Sequence, residues 1–239
     1  WKADGTGWNM IALPYEGGPA NFRVLMNQYS ETLSFTFVDD HVANRGLPGV
    51  IDSTKGGDQF VVTLDYQQVI HQVAADDHPV SGLAGAPGAA IHHEPGLWLY
   101  MTNLTTRDTD AELDIARLGS VPHGNSVLAL GHSQVVDGIP GIPDVSGLPI
   151  GPTGDAYTSP YLEPYRHFIQ NPFNGTVTGV PGFPGFHPDN MNAILQFANA
   201  GLGDEDVEST TILTVDSTRE DGGVANIPFA VKQAEPVSM

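Results

Sequence analysis

Seven short runs rich in β-branched and aromatic residues, each closed off by Gly, Pro, Asn or Asp, constrain this chain more than any other feature. They are Ser30 to Val38, Phe60 to Val73, Gly96 to Asn103, Glu112 to Leu118, Ser126 to His132, Thr210 to Thr218 and Ala225 to Lys232. Runs of this length and spacing mark an all-β sandwich or barrel. Gly and Pro, 28 and 19 of them, make 47 of the 239 residues in a chain that is 40% hydrophobic and shows no repeat. Many tight turns are expected, and neither collagen nor a disordered chain fits.

Sidedness bears on the choice between the two β architectures. Leu33, Phe35 and Phe37 alternate with Thr32, Ser34 and Thr36, so one face of that strand is expected to meet the core. The next strand sets Leu64, Tyr66, Gln68 and Ile70 against Asp65, Gln67, Val69 and His71, with polar groups on both sides. A filled sandwich would bury those groups at a cost, whereas a barrel around a partly polar cavity accommodates them. The residues leave both architectures open and favour a barrel around a partly polar cavity.

Between Gly138 and His187 the composition changes to repeated Ile-Pro, Leu-Pro, Phe-Pro and Gly-Pro steps, which forbid long helices and interior strands. Tyr157, Tyr161, Tyr165, Phe168, Phe173, Phe183 and Phe186 make this segment too apolar for a solvated linker, so residues 138–187 read as a Pro/Gly-rich, lid-like insertion packed over something. One short helix is expected, with Pro188 in its first turn, Met191, Ile194, Leu195 and Ala198 at helical spacing, and Gly201 as its stop. Arg219 to Gly223 is a hairpin-turn candidate joining the last two strands. Residues 1–239 read as one domain.

Lys and Arg number 9 against 28 Asp and Glu, a formal charge of −19. Such a surface repels phosphate backbones and anionic headgroups, which argues against nucleic acid and polybasic membrane binding. No apolar run approaches the roughly 20 residues that span a bilayer as a helix, so membrane insertion is not expected. With no cysteine there is no disulfide, zinc-thiolate site or cysteine nucleophile, and the compartment stays illegible. The opening at Trp1 and the end at Met239 within a strand-like run suggest missing termini or a processed product.

The segment richest in chemistry is Ile91-His92-His93-Glu94-Pro95-Gly96-Leu97-Trp98. Strand alternation puts His92 and Glu94 on one side and His93 on the other. An imidazole beside a carboxylate serves as a general base, a proton relay or an oriented metal ligand; it also serves merely to fix a bend at Pro95-Gly96. His123, in the turn Val121-Pro122-His123-Gly124, is a candidate for reaching a ligand from a barrel rim. Tyr66, Gln68, His71, Trp98 and His132 are further candidates for lining an interior, though a strand tyrosine is more often simple packing. Walker, dinucleotide, Gly-x-Ser-x-Gly, His-Glu-x-x-His and EF-hand patterns are all missing. The acidic stretch Gly203 to Asp206 reads as a solvated loop rather than a calcium site.

Three stretches resemble the nitrobindin-like group of the lipocalin-like (calycin) β-barrels. Trp1 to Trp8, followed by Pro14, is similar to its opening Trp-x-Gly-x-Gly pattern with one extra residue; Tyr29 to Phe35 and Leu64 to Gln68 resemble its next strands. His92-x-Glu94-x-Gly96-x-Trp98 is similar to its His-x-Glu-x-Gly-aromatic-Trp segment, the most specific of these matches. The resemblance implies a closed antiparallel up-and-down β-barrel of about ten strands that holds a small apolar molecule, heme b among the family's ligands. It also departs from the family. The iron there is held by a histidine on a late strand, and this chain has no histidine after His187, so His92 or His123 would have to serve as the iron ligand, or heme would be absent.

Three functions follow as expectations. The first is a barrel that binds a small apolar ligand or heme, with oxidative chemistry favoured if it is an enzyme. The second is a cofactor-free isomerase, cyclase or dehydratase in which His92 and Glu94 move protons. The third is a secreted binding or assembly protein that self-associates through its aromatic, Pro-rich loops.

Overall fold

The computed structural model describes residues 1–18, 20–44, 59–105, 112–121, 125–149, 162–177, 179–203, 205–216 and 223–226. Eight strands and two short helices follow in the order β1 (Lys2–Pro14), β2 (Phe22–Asn44), β3 (Gln59–His78), β4 (Ala90–Thr105), β5 (Glu112–Val121), β6 (Asn125–Asp137), α1 (Glu163–Gln170), α2 (Ala193–Asn199), β7 (Ser209–Asp216) and β8 (Gly223–Asn226). The fold is mostly antiparallel β. Strands β1 to β7 lie side by side in chain order, the meander expected of an up-and-down sheet. Among the described residues no helix is long and apolar enough to cross a membrane.

The first five expected runs lie on strands, and β2, β3 and β4 run well beyond their expected bounds; the sixth lies on β7 as far as Asp216, and of the seventh Ala225 and Asn226 lie on β8, the remainder of both being outside the described residues. β1 was not expected as a strand. Its alternation is interrupted where Gly5 takes φ +70° and the register with β2 shifts between Ala3 and Gly7, so the pattern is hidden from a period-two reading. Two further expectations need correction. β8 pairs with β6, at Asn125↔Asn226 through Leu128↔Gly223, rather than forming a hairpin with β7; most of the expected turn lies outside the described residues. Among the described residues there are two helices, not one. α1 forms inside the Pro/Gly-rich segment because Pro164 falls in its first turn, where its missing N–H costs nothing, and Pro164, Tyr165 and Phe168 give it one buried face.

The chain divides into two compact units. Unit 1 comprises Trp1–Thr32, Ile70–Ile91 and Val136–Thr210. Every residue of β2 from Phe22 to Gln28 is buried there. Phe22, Val24 and Met26 form a core with Leu162, Tyr165, Phe168, Phe186 and Ile194, against which Trp8, Phe173 and Phe183 pack. Half of that core thus comes from residues 138–187, whose Tyr165, Phe168, Phe173, Phe183 and Phe186 pack in it or against it, while Tyr157 and Tyr161 lie outside the described residues. Trp8 stacks on Phe186 at 4.9 Å and donates its indole N–H to the Met191 carbonyl at 3.2 Å. Full burial of one such side chain contributes about 1.5–3 kcal/mol.

Several buried polar groups in unit 1 find partners nearby, while Arg23 Nε, Asn27 Oδ1 and Glu163 Oε2 are buried with no hydrogen-bond partner among the described residues. Arg23 donates to Asp77 at 2.6 Å, with both side chains buried, and Asp77 also accepts from the Ser81 backbone and hydroxyl. Gln28 donates to the Gly5 carbonyl at 2.6 Å and accepts from the Thr176 N–H at 2.7 Å. His78 bonds Glu163 of α1 at 3.0 Å and stacks face to face on His167 at 3.7 Å.

Unit 2 comprises Leu33–Val69, His92–Val135 and Thr211–Met239. Its core is smaller and aliphatic: Val61, Leu113, Ala116 and Leu130, with Val42, Leu99, Leu118 and Leu128 against them. Phe35 and Phe37, expected to face a core, are 47% and 61% exposed. Alternation reports that a strand has two unlike faces; it does not report whether anything covers the apolar one.

Candidate functional site in unit 2

Register between β4, β5 and β6 sorts this part of unit 2 into two faces. Trp98 lies opposite Arg117, Gly96 opposite Gly119, and Arg117 opposite Ala129. Leu99, Ala116, Leu118, Leu128 and Leu130 fall on the other parity and belong to the aliphatic core. Directly opposed residues share a face, so Glu94, Trp98 and Arg117 stand on one side of the sheet.

Glu94 is the centre of that face and is 6% exposed. Its Oε1 accepts from the Tyr66 hydroxyl and from Arg117 Nη2 at 2.6 Å, while Arg117 Nε donates to the Tyr66 oxygen at 3.2 Å. His92 Nε2 faces Glu94 Oε2 at 3.4 Å, at the long limit for a hydrogen bond. The guanidinium sits 5.5 Å from the Tyr66 ring centroid and 6.0 Å from that of Trp98, within cation–π range. Phe35 lies 6.4 Å from Tyr66, ring centre to ring centre.

Two glycines make room for this arrangement. A Cβ at Gly96 would strike the Leu118 carbonyl and the Tyr66 ring, and one at Gly119 would strike the Glu94 carboxylate and the Tyr66 hydroxyl. The Gly96–Gly119 pair is therefore the recess in which the tyrosine and carboxylate meet.

The electrostatics follow from burial and pairing. Burial pushes the Tyr66 phenol up to about 12, reinforced by its bond to the Glu94 carboxylate, so at neutral pH it is a donor. Burial alone would raise Glu94. The Tyr66 hydroxyl, Arg117 and His92 outweigh that effect and hold the carboxyl below its ordinary value, so it is ionised at neutral pH. Burial likewise opposes the charge on Arg117, and Tyr66 and Glu94 more than offset it. A buried carboxylate is tolerable only when it is paired and hydrogen-bonded, and this one is both.

Of the residues expected from sequence, Tyr66, His92, Glu94 and Trp98 come together here, and His93 is exposed. Gln68 is half-buried on β3, two residues along from Tyr66. His71, in unit 1, and His132, in unit 2, are exposed and take no part in the cluster, and His123 lies outside the described residues. Arg117 was missed. It is one of only 9 Lys and Arg in the chain, set in the strand-like run Glu112 to Leu118. A scarce cation in such a run has to find a partner, and that signal was legible.

For heme, which the family resemblance implies, the candidate iron ligands are His92 and His123, and His123 lies outside the described residues. His92 turns Nε2 to Glu94. Among the described residues no group of three or more His, Asp or Glu is placed to hold a metal ion. Compared with protein-family models, curated proteins and solved structures, the chain matches none.

Proposed function

We propose that the protein binds a small apolar molecule, and that the face carrying Phe35, Tyr66, His92, Glu94, Trp98 and Arg117 receives it in a sheet that closes into a barrel. One observation carries this reading: a nearly buried, ionised glutamate is held by a tyrosine and an arginine on a strand face flanked by half-open aromatic rings. A protein that needed only stability would do as well with apolar residues at those positions, since a buried ion pair rarely outperforms them. Ligand sites pair a mostly apolar wall with a few placed polar groups, and this face has that make-up. Nile red, an uncharged apolar dye, tests the reading. Its emission should shift to the blue and brighten with wild-type protein and fall back with a Phe35→Ser, Trp98→Ser double variant; an unchanged spectrum with the wild type counts against binding. A hemin titration run alongside separates heme, by a Soret shift, from an uncoloured ligand.

A second reading draws on the His92–Glu94 contact. A carboxylate held ionised beside an imidazole can orient it as a general base for an isomerisation, cyclisation or dehydration. Once a turnover assay exists, His92→Gln should lower the rate about a hundredfold. Unchanged turnover removes the role.

A further inference from the structure

The hydrogen-bonding inventory of the same face narrows the ligand's chemistry, on the premise that the face binds a ligand at all. Both Glu94 oxygens are engaged, Oε1 by Tyr66 and Arg117 and Oε2 by His92. The Tyr66 proton is spent on Glu94. Arg117 uses Nε on Tyr66 and Nη2 on Glu94, and its Nη1 has no hydrogen-bond partner among the described residues. The Arg117 side chain is 33% exposed, so this group is reachable, and the rings of Tyr66 and Trp98 hold the guanidinium in place. What the face has left to offer is a donor.

Charge decides what kind of acceptor suits it. Arg117 and the ionised Glu94 cancel, and the chain as a whole carries −19. A carboxylate or phosphate would meet a guanidinium already neutralised by its own counter-ion, inside a strongly negative field. A carbonyl oxygen takes the same two N–H groups without bringing charge. The half-exposed ring of Phe35 and the half-buried Trp98 supply apolar surface beside the donor. We infer that the ligand is an uncharged apolar molecule with a ketone, aldehyde or ester carbonyl, which Arg117 Nη1 binds.

Three probes that share a phenyl ring separate the alternatives: acetophenone, benzoate and ethylbenzene. The readout is the indole N–H resonance of Trp98, assigned with a Trp98→Phe variant. Acetophenone should bind about tenfold more tightly than either of the others, the effect of one hydrogen bond to a charged donor. Arg117→Lys keeps the charge but loses the planar fork, and should erase that preference. The ligand comparison within wild-type protein stands even where the variant fails to fold. Benzoate or ethylbenzene binding as well as acetophenone overturns the carbonyl inference and leaves ligand binding intact. No movement of the Trp98 signal with any of the three overturns both.

Discussion

Units 1 and 2 draw on strands of one sheet and use them in opposite ways. In unit 1, β2 is buried from Phe22 to Gln28, and its core is finished by aromatic side chains from outside the strands, Tyr165, Phe168 and Phe186. In unit 2 the same strand carries Phe35 and Phe37 exposed, the core is a small aliphatic cluster, and a polar network surrounds the buried Glu94. Where apolar burial is complete, polar groups are fasteners, as Arg23 is to Asp77. Where it is incomplete, aromatic rings and a satisfied charge pair stand together on one face. That contrast is what the proposed ligand site rests on.

The largest effect that sharpens this contrast is expected in unit 1. Phe168 is 1% exposed, and Phe168→Ala should cost about 3–5 kcal/mol in a urea melt while leaving the Trp98 indole resonance in place. A loss near that of a surface substitution would mean that the Pro/Gly-rich segment is not part of the core. Next comes the recess. Gly119→Ala should cost about 1–3 kcal/mol, because the new methyl meets the Glu94 carboxylate and the Tyr66 hydroxyl; it should also abolish Nile red binding.

Acid should reach the two units at different pH. Burial, together with the stacked His78, holds His167 below the ordinary value of 6.5, against Asp76 and Glu163, which pull the other way. The neutral form is favoured by folding, so this stabilisation is complete above 6.5 and is lost as pH falls from there toward the lower folded value. Glu94, held below 4.5, contributes stability above that pH and loses it only as pH drops further. Hydrogen exchange followed from pH 7 to pH 4 should therefore show weakening around α1 first, with a His167→Phe variant flat over the upper part of that range. Equal early weakening at Glu94 would contradict the order. Tyr66 gives the alkaline counterpart: its stabilisation should hold below pH 10 and fade toward about 12, visible in the ultraviolet as a late-ionising phenol that a Tyr66→Phe variant lacks.

The smallest effect belongs to the open strip. Phe37→Ser should change stability by less than about 0.5 kcal/mol, since the ring is 61% exposed. A loss several times larger would show that something of the protein itself covers it.

What the sequence disclosed follows the range of each signal. Alternation and turn residues are local, so seven of the strands were legible and so was the sharing of one face by His92 and Glu94. β1 was hidden by Gly5 and the register shift beside it, and α1 by the prolines around it, one of which turned out to start the helix. Arg117 depends on register between β4 and β5, which no single-strand pattern encodes. The exposure of Phe35 and Phe37 depends on what the chain places over them, a tertiary fact.

The most direct test of the account is the place where a ligand lands. Intermolecular nuclear Overhauser effects from the methyl group of acetophenone should appear at the Trp98 indole and the Phe35 ring protons. Contacts confined to Trp8 and the aromatic core of unit 1, or none at all at saturating ligand, would contradict it.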